Sequence, residues 1–405
     1  MFDGGLPADE ILAELDRRRG LDPSPHGARL FGLTYPSGRD DLEALIVEAN
    51  RRYVFGNALN PFKFRELAAL EREVVTMVGD LVHLPEAGGG TMTSGGTESI
   101  LMSMLVSRER ARARGIDRPQ ILAPVSAHPA YAKAAHYFDL ELVPIPLDDE
   151  YVADLGALER LIGSRTAVVV ASAVGYPHGL MDPVEDMAAI AAAHGVGCHV
   201  DACIGAFVLP FLERLGVDVP PWDFRVPGVT EMSGDVHKYG YVPKGASVVL
   251  HRDADWFEHQ VFLYDRWPSG LYGSPAIAGA RPAAPIATAW AVMRYLGVDG
   301  YVALMRDLMT TVEKVQSGIE SIGGIDVVGD PIGPVFALCS DAVDLYAVAD
   351  VMDDRGWSLN RNIMPHGLHL MLSPAHGAVA DALLADLVEA VANHGESRGV
   401  DARYS

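Results

Sequence analysis

The 405-residue sequence predicts an α/β protein, in which a large domain with a mainly parallel sheet precedes a smaller α+β domain. Between about residues 60 and 250, helix-like patterns alternate with short β-branched runs, which are ILAPV, LELVPIPL, TAVVVASAV, GVGCHVDA, VTEMSG and ASVVLHR. A stretch rich in glycine and proline follows at residues 269–285, and the patterns after it are shorter. No repeat with a period of roughly 20–50 residues is visible, which excludes solenoids and propellers.

Three regions follow from these patterns. Residues 1–59 are predicted to form an N-terminal arm, because GLTYPSGRD separates two amphipathic segments. Residues 60–285 form the large domain, where apolar strands alternating with helices indicate a parallel sheet. Residues 286–405 form the small domain. Its predicted elements are a helical region at 286–322, strands near 325–328, 335–338 and 368–372, and helices near 343–353 and 379–392.

Composition excludes several classes of protein. The formal net charge of −22 produces a field that repels nucleic acids. Apolar residues make up 49% of the chain and charged residues 21%, as in folded globular proteins. No apolar run approaches the roughly 18–20 residues of a membrane span, and the acidic N-terminus lacks the basic start of a secretory signal. We therefore expect a cytoplasmic protein, in which Cys198, Cys203 and Cys339 are buried thiols.

Small residues open an apolar helix at Ser94, Gly95, Gly96 and Thr97. Free N–H groups and the helix dipole at such a start attract a phosphate, and the two hydroxyls can add donors. The Lys-Ser/Thr ending of a P-loop is absent. The alternative is an ordinary helix N-cap with Glu98 in the first turn.

A carboxylate and a lysine follow two further strands. Asp201 ends the run GCHVD, at the edge where open α/β sheets bind ligands, and a pyridinium nitrogen would balance its charge. The alternative is an aspartate that caps the next helix. Lys238 lies in SGDVHKYGYVPKG, where we expect desolvation and the cationic Lys244 to lower its pKa and free its amine for a Schiff base. An exposed turn is the alternative.

We call the small-residue helix start at residues 94–97 the cup. A phosphate-binding cup, then a carboxylate and then a lysine is the order found in pyridoxal phosphate enzymes. The chain closely resembles the sphingosine-1-phosphate lyase family in the segments SGGTESILM, SAHPAYAKAAHYF, YPHGLMDPVEDMA, HVDACIGAF, DFRVPGVTEMSGDVHKYGYVPKGASVVL and YGSPAIAGARP. The resemblance runs from about residue 33 to the C-terminal region. It implies fold type I of the pyridoxal phosphate-dependent transferases, with a seven-stranded, mainly parallel sheet, and pyridoxal 5'-phosphate as the cofactor.

The resemblance also implies roles for single residues. Lys238 would hold the cofactor through a Schiff base, Asp201 would pair with the pyridine nitrogen, and His128 of SAHPAY would cover the ring. The expected cofactor contacts are Ser94, Gly95, Gly96, Thr97, His128, Asp201, His237, Lys238 and Ser274.

On the substrate side, Tyr35 of LTYPSG and Lys244 of VPKG match the tyrosine and lysine that family members associate with the substrate phosphate. Asn57 or Asn60 could supply a family asparagine, and Tyr241 or Tyr239 could face the site. Residues 272–281 resemble a segment that family members contribute across a dimer interface, which implies a symmetric homodimer with shared active sites.

The implied reaction is retro-aldol cleavage of a phosphorylated long-chain base to a fatty aldehyde and phosphoethanolamine. An amino-acid decarboxylase of the same fold would use the same cofactor contacts, and an inert cofactor-binding module is a lesser alternative. No metal site is predicted, because His366, His369 and His376 lack a ligand arrangement.

Overall fold

The computed structural model describes residues 4–399 and 402–403. Three helices come first, α1 (Ala8–Arg19), α2 (Asp40–Tyr53) and α3 (Arg65–Leu81). Helix α1 has no buried residue, whereas α3 buries an apolar face that includes Leu67, Val74 and Val78. The predicted arm of two amphipathic segments around GLTYPSGRD therefore corresponds to α1 and α2.

A seven-stranded sheet forms the centre of the large domain. Its strands are β1 (Gly89–Thr93), β2 (Gln120–Pro124), β3 (Glu141–Ile145), β4 (Thr166–Ser172), β5 (Gly197–Asp201), β6 (Val229–Gly234) and β7 (Ser247–His251). Their order across the sheet is β1-β7-β6-β5-β4-β2-β3. Strand β7 is antiparallel to both of its neighbours, and the pairs from β6 to β3 are parallel. The predicted seven-stranded, mainly parallel sheet is confirmed.

Helices cover both faces of this sheet, which explains why all seven residues of β4 are buried. They are α4 (Gly96–Ala113), α5 (Ala130–Phe138), α6 (Leu155–Leu161), α7 (Val184–Ala193), α8 (Leu209–Arg214) and α9 (Ala254–Glu258), with a 3₁₀ turn at Gly205–Phe207. Cys198 and Cys203 are buried free thiols, as predicted, whereas Cys339 is only half-buried.

A hairpin of β8 (Phe262–Tyr264) and β9 (Tyr272–Ser274) leads to the long helix α10 (Ala283–Glu320), which is interrupted at Gly297. The elements after it are β10 (Asp326–Val327), β11 (Val335–Cys339), α11 (Leu345–Asp354), β12 (Asn360–Ile363), β13 (His366–Met371), a 3₁₀ turn (Pro374–Ala378) and α12 (Ala380–Asn393). The four strands form an antiparallel sheet in the order β10-β11-β13-β12. The sequence patterns predict neither β12 nor the β8–β9 hairpin.

The predicted division at residues 59/60 and 285/286 places α1 and α2 in the arm and starts the small domain within the first turn of α10. Helix α10 also packs against α2 and α3, so it connects all three regions. Among the described helices, none has the length and apolar character needed to cross a membrane.

Candidate active site

A cavity of about 350 Å³ lies at the carboxyl edge of the central sheet. We call it the central cavity. Ten of the residues predicted from the sequence line it, and they are Tyr35, Ser94, Gly95, Gly96, Thr97, His128, Asp201, His237, Lys238 and Lys244. Three others, Asn57, Tyr241 and Ser274, do not line it.

The cup at residues 94–97 connects β1 to α4. Helix α4 starts at Gly96, and Gly95 provides no side-chain cap for its first N–H groups. A Cβ atom on Gly96 would lie 2.7 Å from Cys203 Sγ and 2.9 Å from Asp235 Oδ2, so no side chain fits there. Glu98 stabilises the turn, because its Oε2 accepts a hydrogen bond from Ser94 N at 2.7 Å. The result is a tightly packed helix start with N–H groups free for an anion.

Asp201 is the last residue of β5 and is 7% exposed. Its Oδ1 accepts a hydrogen bond from Cys203 N at 3.1 Å and a longer one from Ser233 Oγ at 3.4 Å. These bonds fix the carboxylate at the end of the strand. A cationic ring nitrogen is the type of partner that such a buried carboxylate needs.

Lys238 follows β6, and its Nζ lies 3.0 Å from Oδ2 of Asp235, three residues earlier. Burial disfavours the ammonium, but Asp235 and other anionic groups outweigh it and raise the pKa of Lys238 well above its ordinary value. The expectation that desolvation and cationic neighbours lower this pKa is therefore wrong for the protein as described. Asp235 is 2% exposed and is the residue that the sequence reasoning missed.

The lowered lysine pKa occurs at Lys244 instead. Partial burial lowers the pKa of Lys244 to about 8, and the Lys238 ammonium adds to this effect. The side chain is still exposed at the mouth of the cavity. Its Nζ lies 4.5 Å from the centre of the Tyr35 ring, a cation–π contact that holds the two side chains together. The two predicted contacts to a substrate phosphate are thus adjacent.

Two histidines lie on the walls of the cavity. His128 Nδ1 accepts a hydrogen bond from Ala130 N at 3.1 Å, and burial lowers the pKa of this imidazole. His237 lies against the cup, since a Cβ on Gly95 would be 3.4 Å from its Cε1. Burial lowers the pKa of His237 to about 4. Its Nδ1 is buried and has no hydrogen-bond partner among the described residues, so it is available to a phosphate oxygen.

The three remaining predicted residues are held elsewhere. Tyr241 has a positive φ of 58° and stacks on Tyr301, with 6.2 Å between ring centres, so it packs in the core. Asn57 Oδ1 accepts a hydrogen bond from Leu59 N in a turn of the arm. Ser274 Oγ donates to Ala276 O at 2.9 Å within its own loop. In the described chain these three side chains make local structural contacts.

Four features fit pyridoxal phosphate. They are the unsatisfied His237 nitrogen, the cup closed to any side chain, the buried Asp201 and the largely buried Lys238. On this fold they define a pyridoxal phosphate-dependent enzyme of fold type I. Residues 45–336 match the family described as the pyridoxal-dependent decarboxylase conserved domain.

The relatives define the family more narrowly. A sphingosine-1-phosphate lyase from Oryza sativa subsp. japonica is 40% identical over 392 residues, which cover 95% of this chain and 72% of the relative. The structure of the Burkholderia pseudomallei sphingosine-1-phosphate lyase superposes with a TM-score of 0.93 at 38% identity, covering 97% of this chain and 92% of the other. A glutamate decarboxylase from Lactobacillus brevis shares the fold at 22% identity, with a TM-score of 0.84 and coverage of 99% and 96%. The chain belongs to the sphingosine-1-phosphate lyase family.

Proposed function

We propose that this protein cleaves a phosphorylated long-chain base between C2 and C3, giving a fatty aldehyde and phosphoethanolamine. One observation carries the proposal. The exposed Lys244 lies against the ring of Tyr35 in the same cavity as Lys238, Asp201 and His128, and there the two would bind the phosphate of a substrate. The substrate class named for the relatives contains a phosphate and an amine, and the cavity offers groups for both.

Pyridoxal phosphate, when bound, supplies an aldehyde that condenses with amines and a protonated ring that accepts the electrons of a breaking bond. The cup at residues 94–97 and His237 Nδ1 would hold its phosphate. Lys238 is the amine that would attach to it, and Asp201 would keep a proton on its ring nitrogen. The neutral imidazole of His128 would cover the face of the ring.

The proposed cleavage moves two protons. Cleavage removes the proton of the 3-hydroxyl group, converts C3 to an aldehyde carbon and adds a proton at C2. Lys238, which lines the same cavity, would be the amine that gives the proton added at C2. Asp235, at 3.0 Å, holds the Lys238 ammonium in place beside the cup.

The second candidate function is amino-acid decarboxylation, which the match to the pyridoxal-dependent decarboxylase domain favours. The two reactions are separated by their products. The holoenzyme is incubated with a phosphorylated long-chain base and, separately, with a panel of amino acids. Release of fatty aldehyde and phosphoethanolamine supports lyase activity. Release of carbon dioxide from an amino acid, without aldehyde from the base, would establish the decarboxylase instead.

We also propose a homodimer. Large apolar side chains on and around the β8–β9 hairpin are solvent-exposed in the single chain, namely Phe262 (60%), Leu263 (64%), Trp267 (51%), Leu271 (72%) and Ile277 (55%). Several large apolar side chains exposed in one short segment are typical of an interface. Sedimentation velocity should give a mass of two chains, and Leu271→Glu should shift the protein toward monomer. A monomeric wild type that is fully active would contradict the proposal.

A further inference from the structure

A second cavity, of about 420 Å³, adjoins the central cavity. We call it the side cavity. His128 and Tyr176 line both cavities, so the two spaces are separated by these two side chains. A ligand whose reactive end lies in the central cavity would have to pass these two residues to reach the side cavity.

The lining of the side cavity is mostly apolar, with Val125, Leu147, Pro177, Ile363 and Met364 as its main apolar residues. Ile363 is 79% exposed, Met364 56% and Val125 50%, so this apolar surface is in contact with solvent in the single chain. Among the described lining residues there is no carboxylate, although the protein carries a formal charge of −22. Such a surface favours an apolar ligand.

The outer wall is fixed in place. It is the turn between β12 and β13, and its polar groups are bound to the neighbouring loop. Asn362 Nδ2 donates to Pro177 O at 2.7 Å, and His178 Nε2 lies 2.6 Å from Met364 O. The wall therefore exists before a ligand arrives, which reduces the entropic cost of binding.

Among the lining residues that the structure describes, the formal charges belong to two arginines, Arg361 and Arg403. Arg361 is paired with Asp350 at 2.8 Å and with Asp353 at 3.0 Å, so its charge is compensated within the protein. Two larger cavities, of about 580 Å³ beside Phe64 and of about 1060 Å³ beside Asp186, share no described lining residue with the central cavity. The side cavity is thus the better extension of the active site.

We propose that the side cavity receives the hydrocarbon chain of the substrate. The inference rests on the proposed function, because only a long-chain base has such a chain. In that substrate the chain is attached to C3, one of the two carbons whose bond breaks. It must therefore leave the central cavity next to a residue that borders the reacting atoms, and under the proposed function His128, which would cover the ring, has that position.

The test is a chain-length series of phosphorylated bases, kept below the concentration at which they form micelles. In the wild-type holoenzyme, kcat/KM should rise by about fourfold for each methylene that enters the side cavity. Ile363→Asp and Met364→Asp place a carboxylate in the apolar wall at exposed positions. In both variants kcat/KM for the longest base should fall by at least about tenfold. The shortest base should be cleaved as by the wild type.

Val388→Asp is the matched control, because Val388 is 49% exposed on α12 and lines neither cavity. It should leave the chain-length dependence unchanged. If the two wall variants keep the wild-type dependence, or lose activity equally on short and long bases, the assignment of the side cavity is wrong. If the wild type cleaves no phosphorylated base of any length, it is the proposed function that fails.

Discussion

Replacement of Lys244 by glutamine tests how the protein recognises a phosphate. A hydrogen bond to a charged group contributes about 1.5–3 kcal/mol, which corresponds to a loss of about 10- to 150-fold in kcat/KM. Lys244 is exposed at the cavity mouth, and solvent screens its charge. We therefore expect the lower end of the range, a loss of about tenfold for Lys244→Gln at pH 7.

The pH dependence follows from the pKa of Lys244, which is lowered to about 8. The side chain is then about nine-tenths charged at pH 7 and about one-tenth charged at pH 9. Phosphate binding needs the charged form, so kcat/KM should fall as the pH rises through 8. His237, with a pKa of about 4, does not titrate between pH 7 and 9.

Lys244→Arg is the matched variant. An arginine stays charged throughout this range, so the fall above pH 8 should disappear while activity at pH 7 is largely retained. The assay measures kcat/KM from aldehyde release between pH 7 and 9, with phosphorylated and unphosphorylated bases in parallel. If Lys244→Gln weakens cleavage of both bases equally, Lys244 does not recognise the phosphate and the reasoning fails.

Three further predictions concern the cofactor and the core. Lys238→Ala should abolish the absorbance of the covalently attached cofactor and lower kcat by about 10²- to 10⁴-fold; retention of both colour and turnover would refute the role of this amine. Gly96→Ala should weaken cofactor binding at least about tenfold, because its Cβ would clash with Cys203 Sγ at 2.7 Å. In an equilibrium titration, Gly163→Ala should bind like the wild type, since Gly163 faces open space. Leu308→Ala, at a fully buried position of α10, should lower the free energy of unfolding by about 2–5 kcal/mol in a denaturant titration; an unchanged midpoint would contradict the packing described.

The sequence predicts the fold well, because each parallel strand is a short apolar run bounded by turn residues, as in TAVVVAS of β4. The sequence also predicts that the cup, Asp201 and Lys238 lie close together, because all of them are at strand ends on one edge of the sheet. Strands that lack an apolar run are not predicted in this way. Strand β1 is made largely of small and polar residues (GGTMT), and its pairing with β7 has no sequence pattern of its own.

Side-chain direction in loops is harder to predict. Tyr241 turns into the core because its backbone is left-handed, and nothing in YGYVPKG indicates this. The ion pair between Lys238 and Asp235 depends on a turn that brings residues three apart into contact, which reverses the expected direction of the lysine pKa. Cytoplasmic location and the domain boundaries stay predictions.

The distribution of the cavity residues along the chain has a practical consequence. Ser94, His128, Asp201 and Lys238 lie at or just after the carboxyl ends of different strands, and almost 150 positions separate the first from the last. No fragment smaller than the assembled sheet can present all four to one molecule. The yellow colour of the bound vitamin is therefore a built-in indicator of tertiary assembly. Refolding followed by the absorbance of the bound cofactor should therefore report the formation of the whole sheet rather than of any single helix.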